Sequence, residues 1–190
     1  MNRVILSAST DETILAVTRQ HKLVDLEIEQ QINTEIVGCI YKGVVKNIVP
    51  AVDGIFVDIG IGKNAFLRRK DLLNEKRFPT EGSPILAQVI KSDTDMKGAL
   101  ITEKISMFGK YAVTLSGTGY IGVSKKIRQE SVRKRLKEIG KEICAEHMGL
   151  IIRTAAENAD MDEFRKDITR LKENWDIIQK RFRMEKSPTL

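Results

Sequence analysis

Apolar and polar residues alternate over short runs through the first half of the chain, which is the pattern of half-buried strands. The earliest runs fall at residues 4–6, 13–17 and 23–29. They are too short to make a domain and are expected to be the edge of something larger. Five later strands, with glycines between several of them, predict a small closed barrel of the OB type. These strands fall at residues 38–49, 54–59, 65–67, 85–90 and 99–102.

The pattern is mixed after residue 105. Strands are predicted at 111–115 and 150–152, and a helix at about 129–140. A long helix is predicted from Met161, with Asp160 as its N-cap and Glu163 completing a capping box. Its apolar residues recur at spacings of three and four, which defines one buried face and gives Trp175 a structural role. That face consists of Phe164, Ile168, Leu171, Trp175, Ile178 and Phe182.

These patterns predict an α+β fold in four segments. Residues 1–35 form the opening strands, residues 36–104 the five-stranded OB-type β-barrel, and residues 105–184 a smaller α/β subdomain. Residues 185–190 extend no visible element and mark a boundary.

Charge narrows the class of partner. The formal net charge is +6, which favours polyanions such as nucleic acid or an anionic membrane. Residues 125–141 hold eight cationic and two anionic side chains, and this helix either steers RNA or is an ordinary solvated face. No apolar run approaches the ~18 residues of a membrane span. With only Cys39 and Cys144, far apart in the chain, a cytoplasmic protein with structural thiols is expected.

Two phenylalanines are predicted on the outward face of neighbouring strands. Phe56 alternates with apolar residues of the run 55–59, and Phe66 with those of the run 65–67. Such rings need either bases that stack on them, at roughly 1–3 kcal/mol each, or a covering element that forms a second core. Nearby cations that could meet phosphates favour stacking. These are Lys42, Lys46, Lys63, Arg68, Arg69, Lys70 and Lys97.

Other polar motifs give weaker signals. Asp25, Glu27 and Glu29 share a predicted strand face and could hold a metal, although a solvated hairpin face is the commoner outcome. The Gly60–Lys63 segment lacks the spacing and the Ser/Thr of a phosphate-binding loop.

Several segments resemble a known family. GCIYKG at 38–43, FVDIG at 56–60 and KNAFL at 63–67 resemble the S1-type RNA-binding OB domain. Three further segments extend the likeness to the N-terminal portion of the ribonuclease E/G family, in the family's order. These are MKGAL at 96–100, GVSKKI at 122–127 and GLIIRTAA at 149–156.

The resemblance implies roles for individual residues. Phe56, Phe66 and Lys97 match the RNA-contacting positions of the OB domain. Arg153 and Thr154 match the pocket for a 5′-monophosphate end, and a guanidinium fork with a hydroxyl suits phosphate oxygens. Gly109 and Val113 match positions that line this pocket and offer backbone contacts. Val44 stands where relatives often carry a cation, so that phosphate contact is expected to be weakened.

The resemblance also implies a larger enzyme. The family is a magnesium-dependent endoribonuclease, a hydrolase of RNA processing and decay, that carries a structural zinc. The aspartates and cysteines that hold these metals would lie beyond Leu190, as would regions for oligomerisation. No cofactor is therefore expected in this chain, whose partner would be single-stranded RNA that it binds but does not cut. Residues 1–35 would begin an RNase-H-like subdomain whose remainder comes later.

Two other functions remain compatible with the sequence. The chain could be a stand-alone S1-domain RNA-binding regulator that has no nuclease activity. It could also be an OB module that binds protein.

Overall fold

A computed structural model describes residues 2–8, 12–20, 22–30, 36–94, 97–144 and 148–189. The chain divides into two compact units, Met1–Ile36 and Val37–Leu190. Each unit is described by itself.

The first unit is a three-stranded antiparallel sheet in the order β1-β2-β3. Its strands are Asn2–Ala8 (β1), Glu12–Arg19 (β2) and Lys22–Gln30 (β3), as the alternation predicts. The outer strands expose several large apolar side chains, and Val4 is 69% and Leu6 is 66% exposed. The sheet thus buries little of its own apolar surface.

The second unit begins with a closed five-stranded barrel in the order β4-β5-β6-β8-β7. One pair, β6 with β8, is parallel, and the others are antiparallel. The predicted strands are confirmed within one or two residues. They are Ile40–Val49 (β4), Gly54–Asp58 (β5), Ala65–Arg68 (β6), Pro84–Lys91 (β7) and Leu100–Thr102 (β8).

Side chains alternate between the inside and the outside of the barrel along these strands, and the inward ones fill its interior. Side chains pointing inward are almost fully buried, with exposures of 3% or less. They are Val45, Ile55, Val57, Ala65, Leu67, Ile85, Ala87, Val89 and Ile101. The residues between them face outward, and this places the side chains of Phe56 and Phe66 on the barrel surface.

The rest of this unit, here called the second subdomain, is a four-stranded sheet covered by two helices. The sheet order is β11-β12-β10-β9, with β11 and β12 parallel. The strands are Ser106–Phe108 (β9), Ala112–Ser116 (β10), Ile121–Val123 (β11) and Met148–Ile152 (β12). The helices are Glu130–Ile143 (α1) and Met161–Met184 (α2).

The predicted apolar face of α2 is confirmed. One part of it packs in the core of the second subdomain, and the other part lines a cleft beside the barrel. Phe164, Ile168 and Leu171 are buried in the core between sheet and helices. Trp175 and Phe182 are half-buried and line a cleft of about 480 Å³ between α2 and the barrel. The structural role expected for Trp175 stays a prediction, since its ring lines a cleft and lies outside the buried core.

The N-cap of α2 is also confirmed, but the capping box is only half correct. The Asp160 carboxylate accepts hydrogen bonds from the backbone N–H groups of Asp162 and Glu163. The Glu163 carboxylate instead accepts from Lys110 Nζ at 3.1 Å and from the Tyr111 hydroxyl at 2.6 Å. Glu163 thus makes a tertiary contact in place of the capping contact that its spacing from Asp160 predicts.

Beyond α2 the chain returns to the barrel. Backbone hydrogen bonds join Thr189 to Lys42 of β4 in both directions, at 2.8 and 3.0 Å. The Lys42 ammonium donates to the Glu185 carbonyl and lies 5.1 Å from the Phe182 ring centroid. Within the described ranges, neither helix is both long and apolar enough to span a membrane.

Candidate nucleic-acid interface

Phe56 and Phe66 form an aromatic pair on the outside of the barrel. They lie directly opposite each other on β5 and β6, and their ring centroids are 5.5 Å apart with planes tilted by 54°. Both side chains are half-buried, which is intermediate between a second core and full exposure. Each ring packs against the other and still reaches the surface, as a stacking site requires.

Gly54 fixes the position of Phe66. A Cβ built at Gly54 would lie 2.2 Å from the Phe66 Cζ atom, well inside van der Waals contact. The ring therefore lies across the bare backbone of β5, where only glycine leaves room. This contact holds the ring flat against the strand beside Phe56.

Most of the nearby cations already have acidic or carbonyl partners. Lys46 pairs with Asp58 at 3.3 Å, and Arg69 pairs with Asp53 at 3.4 Å and lies over the Phe78 ring. Arg68 is bonded to Asp71, Lys63 donates to the Thr94 carbonyl, and Lys42 is held by the end of α2. The prediction that this whole set serves phosphates is therefore too broad.

Lys97 is connected to the strand of Phe66 through the backbone. It closes a tight turn with Thr94, through backbone hydrogen bonds of 2.8 and 3.2 Å. Two residues later the Ala99 carbonyl accepts from the Phe66 N–H at 2.7 Å. Lys97 is exposed and lies shortly before β8, the strand that pairs with β6.

Arg153 and Gly109 come together at the end of the second subdomain's sheet. Arg153 follows β12 directly, and its Nη1 donates to the Gly109 carbonyl at 3.0 Å. The Gly109 N–H donates to the Ala112 carbonyl at 2.8 Å. The expected backbone contribution of Gly109 is thus a carbonyl that orients Arg153, since its amide already has a partner.

Asp167 of α2 holds this turn from the other side. Its buried carboxylate accepts from the backbone N–H groups of Lys110 at 3.2 Å and Tyr111 at 2.8 Å. A Cβ on Gly109 would lie 2.5 Å from Asp167 Oδ2, so the turn fits only without a side chain. Sequence reasoning missed Asp167, because 57 residues separate it from Lys110.

Thr154 makes a contact that the sequence did not reveal. It begins a 3-10 turn at Thr154–Ala156, and its hydroxyl lies 3.1 Å from the Ser124 hydroxyl. Ser124 follows β11, the parallel neighbour of β12. The pair therefore sits at the carboxyl ends of two adjacent strands, next to the Arg153 guanidinium along the chain.

Val113 lies on the sheet face opposite the helices. It pairs with Ile151 of β12 and with Phe108 of β9. Ile151 is 40% and Phe108 is 73% exposed, so these residues make an apolar surface near the end of β12. Together with Gly109, Arg153, Thr154 and Ser124, this surface forms what we call the Arg153 site.

The Glu163 carboxylate is paired with Lys110 and Tyr111, the two residues that follow Gly109. The Tyr111 hydrogen bond, followed by the Lys110 ammonium, lowers the pKa of the Glu163 carboxyl. The same contacts with Tyr111 and Glu163 raise the pKa of Lys110. Both groups stay charged at neutral pH, and they largely cancel each other.

One cation of the predicted basic helix, Arg133, has a structural role. The Arg133 guanidinium donates to the carbonyls of Ser124 at 2.7 Å and Ile127 at 2.9 Å, and more weakly to that of Val123. Its side chain is 28% exposed. Arg133 thus stabilises the loop that leads from β11 to α1, whereas Lys134, Arg135 and Lys137 are exposed on the helix.

Metal ligands are not grouped in the described part of the chain. No cluster of three His, Cys, Asp or Glu side chains is placed there to hold an ion. The metal interpretation of Asp25 and Glu27 gains no support, and the Glu29 side chain lies outside the described residues.

Comparisons with known proteins match this arrangement. Residues 34–102 match the S1 RNA binding domain, and residues 106–190 match the ribonuclease E/G family. Ribonuclease G of Escherichia coli K12 is 34% identical over 195 residues, an alignment that covers 94% of this chain and 40% of that protein. Ribonuclease E of Synechocystis is 33% identical over 174 residues, covering 86% of this chain and 26% of that protein.

The closed five-stranded barrel, over residues that match the S1 RNA binding domain, places the chain in the class of S1-type RNA-binding proteins. The particular family follows from both matches and from the relatives. This chain belongs to the ribonuclease E/G family. It spans about two fifths of the length of the ribonuclease G relatives that it matches.

Proposed function

We propose that this chain binds single-stranded RNA and recognises a 5′-monophosphate end, as part of a ribonuclease E/G-type endoribonuclease. The observation that carries the proposal is the Arg153 site, where the consecutive residues Arg153 and Thr154 follow β12, the first bonded to the Gly109 carbonyl and the second paired with the Ser124 hydroxyl. A guanidinium and a hydroxyl suit the oxygens of a terminal phosphate.

The barrel supplies the second contact in this proposal. Phe56 and Phe66 stack on bases of the strand, and Lys97 pairs with its phosphate backbone. Because stacking tolerates any base, the barrel grips RNA without regard to sequence or to the chemistry of its end. The Arg153 site then adds selectivity for the 5′ end.

Cleavage is assigned to the rest of the enzyme in this proposal. The magnesium and zinc that the family resemblance implies are assigned to no residues of this chain. The chain's own contribution is to hold and orient the RNA.

Binding of three RNAs that differ only at the 5′ end tests the proposal. Short single-stranded RNAs with monophosphate, hydroxyl and triphosphate ends are titrated against the purified chain. The unchanged chain should prefer the monophosphate. Arg153→Ala should remove about tenfold to a hundredfold of that preference, because a hydrogen bond to a charged group contributes about 1.5–3 kcal/mol.

Arg183→Ala is the matched control, since Arg183 is exposed near the end of α2 and changes the same charge. It should leave the preference intact. An equal loss of affinity for all three RNAs in Arg153→Ala would contradict the assignment of the 5′-phosphate to this site.

A further inference from the structure

Ser124 occupies a place beside the proposed phosphate site that the function so far leaves unexplained. Its hydroxyl lies 3.1 Å from that of Thr154 and accepts a hydrogen bond from the Lys126 N–H at 3.3 Å. Its own N–H donates to the Ile152 carbonyl at 2.8 Å, which extends the pairing of β11 with β12. Ser124 is thus tied by backbone and side chain to the strand that delivers Arg153 and Thr154.

The hydrogen bonds that this hydroxyl pair already makes leave one of its two protons unused. Each hydroxyl has one proton and two lone pairs. One of the two protons is used in the bond between Ser124 and Thr154, and the Lys126 N–H fills a lone pair on Ser124. One hydroxyl proton therefore remains for an acceptor from outside, which a phosphate oxygen supplies.

The backbone on both sides of the pair is held in place. The Arg133 guanidinium and the Ile127 N–H, at 3.1 Å, both donate to the Ser124 carbonyl. On the other side, the Glu157 N–H donates to the Thr154 carbonyl at 3.0 Å. The separation of the two hydroxyls is thus set by the fold and needs no ligand to form.

We propose that Ser124 is a positioning residue that orients the Thr154 hydroxyl as a hydrogen-bond donor to the 5′-terminal phosphate. The inference rests on the proposed function of the Arg153 site. Ser124 accepts from Lys126 and donates to Thr154, whose own proton then points to the phosphate. A hydroxyl oriented in this way can donate to an anionic acceptor at the RNA end.

A double-mutant cycle tests this role. The measured quantity is the ratio of dissociation constants for 5′-hydroxyl and 5′-monophosphate RNA, in the full chain. Ser124→Ala should reduce this ratio about threefold to tenfold, the effect of one neutral hydrogen bond of ~1 kcal/mol. In the Thr154→Val background the same change should cause little further loss, because Ser124 acts through Thr154. Ser131→Ala, an exposed serine of α1, is the matched control.

Two near-isosteric variants keep the test valid if alanine disturbs the loop. Ser124→Thr retains the hydroxyl and should retain the ratio. Ser124→Cys keeps the shape but is a weak hydrogen-bonding group, and it should behave as alanine does.

The outcomes separate this inference from the proposed function. If Arg153→Ala and Thr154→Val leave the ratio unchanged, the proposed function is wrong. If they reduce it while Ser124→Ala and Ser124→Cys do not, only the role of Ser124 is wrong. Additive losses in the double variant, or equal losses for both RNAs with a lower melting temperature, also overturn the role, since they indicate an independent contact or a purely structural turn.

Discussion

The two regions that we propose contact RNA are built differently. On the barrel, Phe56 and Phe66 contact chiefly each other, and their position follows from strand alternation within one hairpin. At the Arg153 site, the two side chains proposed to bind phosphate are held by residues far away in sequence, Arg153 by Gly109 and Thr154 by Ser124. Base stacking tolerates small shifts in the position of a ring. Binding of a terminal phosphate needs hydrogen-bond donors at fixed positions, which the whole subdomain must supply.

The largest effect is expected from a substitution in the aromatic pair of the barrel, and it should lower the affinity for RNA. Phe56→Leu keeps apolar bulk but removes the aromatic face, so affinity for monophosphate, hydroxyl and triphosphate RNA should fall together. Loss of stacking on one base corresponds to about fivefold to a hundredfold. Fluorescence anisotropy with the three RNAs measures the change.

Phe56→Trp is the matched control, because it retains a stacking face and should retain most of the affinity. A loss confined to the monophosphate RNA would contradict an end-independent role for Phe56.

A smaller effect is expected from the turn that orients Arg153. Gly109→Ala places a Cβ 2.5 Å from Asp167 Oδ2, so the turn must separate from α2 and the carbonyl partner of Arg153 shifts. The preference for monophosphate RNA should fall several-fold, with hydroxyl RNA bound as before. Binding titrations at matched salt check this, since screening alters every phosphate contact. An unchanged preference would show that the turn does not orient Arg153.

The smallest effect concerns stability and leaves both RNA sites alone. Burial raises the pKa of the Glu103 carboxyl despite its hydrogen bond from the Leu73 N–H. The folded state therefore holds this proton more tightly than the unfolded chain does. The contribution of Glu103 to stability is fully present below the ordinary pKa of a glutamate and is lost as pH rises through the folded pKa. Glu103→Gln should flatten that loss and slightly raise the melting temperature at neutral pH.

Melting curves between about pH 4 and pH 7 compare Glu103→Gln with the unchanged chain, over the range in which carboxyls titrate. A variant that is less stable throughout this range would contradict the effect of burial on Glu103.

The same contrast explains how much could be predicted from the sequence. Period-two alternation located the barrel strands and the outward phenylalanines, and the three-four spacing located the buried face of α2, because both signals are local. The partners of Arg153 and Thr154 lie 44 and 30 residues away, and no local pattern reports such distances. The family resemblance pointed to Arg153 and Thr154 but was silent on Ser124 and Asp167.

Charged residues were the least predictable. Lys42 and Arg133 were counted among cations available to RNA, yet one is held by the Glu185 carbonyl and the other stabilises the loop before α1. Glu163 was assigned to a capping box and instead contacts Tyr111. Long polar side chains reach whichever partner the tertiary fold presents, so their sequence neighbours say little about their role.

The contact between Gly54 and the Phe66 ring has a consequence for how such barrels diverge. A relative that acquires any side chain at position 54 must displace the ring at position 66 from β5, and with it half of the aromatic pair. The two positions are therefore expected to vary together. A phenylalanine at 66 in this position requires glycine at 54, and a side chain gained at 54 would mark a barrel whose aromatic pair is displaced.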